Sequence, residues 1–195
     1  VSIRIPMKYK ILIPSIVFAC DLQFLKDQLR VTHDAHDLYL ESLIAAATDW
    51  AVGYTGRQIN CATLQAYSRY SFCKMSYDID RGPIIAITKI EYLNVSGALV
   101  LIPAEQYELS SDQYSGTIFL KTGFEFVNVD MVRIDAIRIT YTAGYGDIET
   151  NPFPEFVCNA VALKAARLYT NPEDGVDEKV TVSENLLNSM RCPIV

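Results

Sequence analysis

His33 and His36, flanked by Asp34 and Asp37, are the residues whose type and spacing come nearest to metal chemistry. An i, i+3 pair at the start of a helix can set two imidazoles on one side, as a zinc site requires. No third ligand is obvious elsewhere, and the competing reading is a polar helix entry whose aspartates cap free amides. The five cysteines, Cys20, Cys61, Cys73, Cys158 and Cys192, are odd in number, widely spaced and without a C-x-x-C pair, so reduced thiols are expected rather than a zinc knuckle or a redox couple. GYGDIE, residues 144–149, lacks the full glycine pattern of a dinucleotide fold and is followed by no GK[ST], which leaves a turn after a strand. Glu173, Asp174, Asp177 and Glu178 lack the ligand spacing of an EF-hand and read as a solvated loop. No serine has a nucleophile-elbow context. No catalytic residue, cofactor or metal is therefore assigned, and no enzyme is expected.

The elements that would position these residues can be read from periodicity. Asp21 is placed to cap a short helix over Leu22 to Leu29, and Thr32 to Asp34 supply a loop and the next cap. In the long helix that follows, Leu40, Leu43, Ile44, Ala47, Trp50, Ala51 and Tyr54 recur at helical spacing. Gly56 is a plausible stop, with Arg57 where a cation meets free carbonyls. From Ile59 the pattern turns strand-like, and five or six antiparallel strands with short connections are predicted, the clearest being AIRITYT, where Ile137, Ile139 and Tyr141 alternate with polar residues. Pro152 and Pro154 introduce a third helix over Glu155 to Tyr169, apolar around most of its circumference. Such a helix must be covered on several sides, by the first two helices or by neighbouring subunits.

The expected fold is α+β: a small helical bundle with an inserted antiparallel β-module and an extended C-terminal tail. Its parts are an extended arm over 1–20, a helical hairpin over 21–58, the β-module over 59–150, a helix over 151–170, and an acidic loop with a docking segment over 171–195. Arg4, Lys8 and Lys10 ahead of an apolar run have the order of a targeting segment, but Pro14 breaks the run, and an arm packed on this subunit or a neighbour is expected instead. No stretch approaches the roughly 18 to 20 apolar residues of a membrane helix, so no membrane partner is expected. At 195 residues the chain is long enough to bury a real core, and its net charge of −6 argues against tight duplex binding, which depends on Lys and Arg displacing counterions.

The strings LKDQLRV (25–31), HDLYLESLIAAATDWAVGYTGRQI (36–59) and YTAGYG (141–146) resemble the bacteriophage head-to-tail connector, or adaptor, proteins that sit beneath the portal. The resemblance extends from about Leu22 to the end in hydrophobic and turn pattern, and the N-terminal arm departs from it. It implies a virion protein of the neck, made in the host cytoplasm, that forms a ring, commonly dodecameric. The ring would join the portal to a neck, stopper or tail protein and let double-stranded DNA pass without sequence-specific binding. On that reading Leu186, Leu187, Met190, Arg191 and Ile194 dock on the portal, and deleting 183–195 should leave a folded protein unable to join heads. Leu43, Ile44, Trp50, Tyr54, Val157, Val161 and Leu168 pack the ring body. The alternative is a soluble ligand- or metal-binding protein, or small enzyme, using a helix-sheet cleft.

Overall fold

A computed structural model describes residues 7–15, 17–69, 76–146, 151–171 and 180–192. The fold is α+β, and the chain divides into two compact units, one of Val1–Pro14 with Ala62–Gly144 and one of Ser15–Cys61 with Tyr145–Val195.

Among the described residues the first unit holds eight strands: β1 (Lys8–Ile13), β2 (Ala62–Ser68), β3 (Ser76–Ile79), β4 (Ile84–Leu93), β5 (Leu99–Ile102), β6 (Tyr107–Ser111), β7 (Gly116–Leu120) and β8 (Ile137–Ala143). They form a five-stranded sheet, in the order β1-β2-β8-β4-β5, and a three-stranded sheet, β3-β7-β6. Every pairing is antiparallel. β8 lies centrally because Ile137, Ile139, Tyr141 and Ala143 are all buried, and they share a core with Leu64, Ile90 and Tyr92 of the same sheet and with Tyr77, Ile79 and Ile118 of the other. Burial of Tyr141 pushes its phenol far above the ordinary tyrosine range. Β-turn chemistry sets the connections. In the β4–β5 turn the Asn94 carboxamide oxygen accepts from the Ser96 and Ala98 amides at 3.0 and 2.9 Å, and Gly97 supplies the positive φ of 81°. Gly82 donates to the Tyr114 carbonyl, where an added Cβ would lie 2.6 Å from that oxygen, so only glycine fits.

Two expectations need correction here. Among the described residues there are seven strands between 62 and 143, one more than the upper count expected, because β3 is only four residues long and carries little periodicity. An eighth, β1, comes from the expected arm: KYKILI pairs along the edge of β2, and the strand ends just before Pro14, which has no amide hydrogen to give a ladder. The rest of that arm, from Ser15, falls in the helical unit.

The second unit holds α1 (Leu22–Leu29), α2 (Asp37–Thr55), α3 (Glu155–Thr170) and α4 (Val182–Leu187), the last running into a 3-10 turn over Asn188–Met190. α1, α2 and α4 all pack on α3. The apolar girth of α3 is thus covered by its own chain, with Val157, Ala160, Val161, Ala162 and Ala165 buried. Gly56 ends α2 at φ 69°, its amide donating to the Val52 carbonyl. Asp21 occupies the N-cap of α1 with extended backbone, yet its carboxylate makes no capping bond, and the N-cap of α2 is His36 rather than Asp34. Among the described residues no helix is long and apolar enough to cross a membrane.

Candidate docking segment and the chemistry around it

The aspartates beside the histidines are engaged elsewhere. Asp34 and Asp37 both accept from the ammonium of Lys26, at 2.7 and 2.8 Å, beneath the loop that joins α1 to α2. These hydrogen bonds push the Lys26 ammonium above its ordinary value, and the bond from Lys26 holds the Asp34 carboxyl below its own. A lysine with almost no accessible surface needs such partners, and this loop brings them. His33 meets His36 edge to face at 4.8 Å, and His36 Nδ1 lies 2.8 Å from the Tyr169 hydroxyl on α3. The imidazoles therefore tie the α1–α2 loop to the end of α3. Among the described residues no group of three or more His, Cys, Asp or Glu is placed to hold a metal ion.

Two cysteines line a groove of about 640 Å³ within the helical unit, together with Val17, Phe18, Leu22, Glu41 and Phe153. Burial, followed by the charges of Cys158 and Asp21, pushes the Cys20 thiol up to about 12. Burial likewise pushes up Cys158. Both stay protonated near neutral pH, so neither offers the thiolate that nucleophilic chemistry requires. The glycines of the GYG turn serve the backbone. Gly144 and Gly146 adopt φ of 112° and 94°, and a Cβ on Gly146 would strike the Phe153 ring. Asp147, Ile148 and Glu149 lie outside the described residues.

Over its described residues, 180–192, the C-terminal segment is held to the helical unit. Thr181 opens α4 with a capping box: its hydroxyl accepts from the Glu184 amide at 3.3 Å, and the Glu184 carboxylate accepts from the Thr181 amide at 2.7 Å. Beyond α4, Tyr54 donates to Asn188 at 2.6 Å, Arg57 Nε donates to the Met190 carbonyl at 3.1 Å, and the Cys192 amide donates to the Thr55 carbonyl at 2.8 Å. The Arg191 guanidinium sits 5.2 Å from the Tyr54 ring centre, and Tyr54 stacks on Trp50, which in turn faces the Lys164 ammonium at 4.8 Å.

That geometry alters the docking assignment. Leu187 and Met190 are fully buried in this chain's own helical unit, so their side chains are not free to anchor on another protein. Leu186 is half-buried, Arg191 is exposed, and Ile194 lies outside the described residues. Of the residues assigned to body packing, Ile44, Val157 and Val161 are buried within the unit, while Leu43, Trp50, Tyr54 and Leu168 are half-buried at its margin. Arg57, expected beside the free carbonyls of α2, reaches with its Nε to a carbonyl 133 positions away. The clamp that Tyr54, Thr55 and Arg57 close on residues 188–192 has no local pattern in the sequence to mark it. Only the T-x-x-E spacing of Thr181 and Glu184 could have shown the ordered start of α4.

Comparison with known proteins adds to this geometry. The sequence model of the "phage gp6-like head-tail connector protein" family matches residues 20–90. No curated protein matches the sequence. Among solved structures, the chain is similar to one in the neck of an empty GTA particle computed with C6 symmetry, with 18% identity, 97% of each chain covered and a TM-score of 0.77. A chain of the virion of the native gene transfer agent (GTA) particle matches with the same coverage and TM-score, at 19% identity. One from the neck of the native GTA particle computed with C12 symmetry gives a TM-score of 0.67. The chain thus resembles the phage head-to-tail connector family in sequence over residues 20–90, and it shares the fold of chains from gene transfer agent particles over nearly its whole length.

Proposed function

We propose that this protein is a structural, non-catalytic part of a virion neck: a head-to-tail connector that forms a ring between the portal and the next neck, stopper or tail protein. The observation that carries the reading is the likeness of fold across 97% of both chains to the neck of a particle, on a chain whose residues 20–90 match a connector family. Its subunits form a dodecameric ring, DNA passes through the central channel, and the protein is made in the host cytoplasm before it joins the virion. A net charge of −6 suits a passage that must not retain the phosphates. Portal contact is assigned to the C-terminal segment, at the accessible Leu186 and Arg191 and at Ile194, with Leu187 and Met190 holding the described part of that segment in place from beneath. The ligand-binding or enzymatic alternative has less support, because the Cys20 and Cys158 thiols are held protonated and His36 is engaged by Tyr169.

Electron microscopy of the full chain mixed with the portal protein of the same particle tests this reading. Rings of this chain stacked on the portal are expected. A chain that remains monomeric at every ratio to portal overturns it.

A further inference from the structure

The net charge of −6 is not shared evenly between the two units. Seven lysines and arginines stand against fourteen acids in the helical unit, and ten against nine in the sheet unit. Within the sheet unit, residues 1–14 hold Arg4, Lys8 and Lys10 and no acid. The chain thus joins a cationic strip to an acidic body, and copies carrying both attract one another strip to body.

The acidic body has a place for an apolar strip. The groove of about 640 Å³ beside Cys20 and Cys158 adjoins a hollow of about 420 Å³ that shares Asp21 and Cys158 with it. Phe18 lines the first and Phe24 the second, and they are 44% and 45% exposed. Single exposed apolar residues are ordinary on a surface, whereas two phenylalanines converging on one concave site mark a binding surface. Asp21, Glu41 and Glu155 line the same depression. None of their carboxylates has an ion pair or a hydrogen bond among the described residues. An apolar floor rimmed by unpaired carboxylates suits a segment that is apolar and cationic at once.

Residues 1–6, VSIRIP, have that chemistry. Val1, Ile3 and Ile5 alternate with Ser2, Arg4 and Pro6, so in extended backbone three apolar side chains share one face and the long Arg4 side chain is left for the rim. β2 ends at Ser68, one residue past the Lys8–Tyr67 pair, so among the described residues the sheet supplies no ladder for them. β1 spans about 20 Å. Six extended residues span about the same length, so a return along the strand as far as Ile13 would use up the whole segment. A neighbour's groove asks for no such return.

We propose that residues 1–6 of one copy lie in the helical-unit groove of the next, with Ile3 and Ile5 against Phe18 and Phe24, and Arg4 among Asp21, Glu41 and Glu155. This rests on the connector reading above, and it names a contact between neighbours in that ring. It joins two different surfaces of one protein, the kind of contact that builds closed rings when the rotation closes.

Ile5→Cys in the full chain tests the contact, because Cys158 lines the groove. Where wild-type rings form on the portal, mild oxidation of this variant should give a ladder of disulfide-linked chains on a non-reducing gel. Cys158→Ser in the same chain should remove the ladder. Arg4→Glu should raise the concentration for half-maximal ring formation, read by mass photometry with portal present, by about tenfold. Arg4→Lys should stay close to wild type, and both should keep the wild-type circular dichroism spectrum. Rings whose Ile5→Cys chains stay unlinked, link only within one chain, or link equally well without Cys158 overturn the contact and leave the connector intact. Arg4→Glu rings as stable as wild type do the same. A wild-type chain that forms no ring with portal overturns both.

Discussion

Leu187 and Met190 have no accessible surface, and that single property separates holding the C-terminal segment from docking it. Leu187→Ala should lower the unfolding free energy by roughly 2–5 kcal/mol in urea titration, since it removes buried methyl groups and leaves a cavity. Leu186→Ala, at a half-buried site beside it, should cost clearly less. Equal costs would mean that Leu187 is not part of the core. A second residue-scale prediction concerns Asp135, which accepts from Arg133 at 3.0 Å and from Arg138 at 2.7 Å. These bonds, Arg133 first, hold its carboxyl down to about 2. A carboxylate with a lowered folded value stabilises the protein above its unfolded value, near 4, and that contribution is lost as pH falls toward the folded one. Wild type should therefore lose more stability than Asp135→Asn between about pH 4 and about pH 2. Identical acid profiles for the two would show that the pair of arginines contributes nothing.

At the scale of elements, α4 is six residues long and could not persist on propensity alone. Its capping box and the buried side chains behind it do that work, so Thr181→Ala should reduce stability by about 1 kcal/mol. Chemical denaturation followed by circular dichroism would show it, and no change would mean that the box is redundant with packing. The same logic reverses the expectation for deleting 183–195. That truncation removes Leu187 and Met190 from beside α3 and breaks the bonds from Tyr54, Arg57 and Thr55, so the helical unit should melt earlier rather than survive intact. Which elements were legible follows from where their determinants lie. α2, α3 and β8 could be read because their burial is periodic within a dozen residues, as with Leu40, Ile44, Ala47 and Ala51, or Ile137, Ile139 and Tyr141. The Gly56 stop and the Asn94 turn could be read because a backbone angle demands a residue type. β1 could not, since its partner is fifty or more positions away and its own pattern suits an arm equally well. Nor could the Trp50–Tyr54–Arg191 stack, whose members are joined only by the packing of α2 against the C-terminal segment.

For the whole molecule, the decisive quantity is charge. Seventeen lysines and arginines stand against twenty-three acids, and part of that cationic complement is already committed: Lys26 to Asp34 and Asp37, Lys89 to Glu91, Arg133 and Arg138 to Asp135. Nonspecific affinity for duplex DNA arises from free cations releasing counterions, and it grows with each phosphate neutralised. A basic groove does exist in the sheet unit, where Lys10, Arg133 and Arg138 border about 670 Å³, but Asp135 lies among them. The full chain should accordingly bind duplex DNA more weakly than about 10⁻⁴ M near physiological salt, the weak end of nonspecific binding, with a shallow dependence on salt concentration. Fluorescence anisotropy with a labelled duplex over a salt series measures both quantities. Weak and nearly salt-independent binding fits a channel wall that lets DNA slide, because a wall that holds phosphates must release them at every step of transit. Micromolar binding with a steep salt slope would instead describe a protein that grips DNA, and the role of passive conduit would have to be abandoned even if the ring were present.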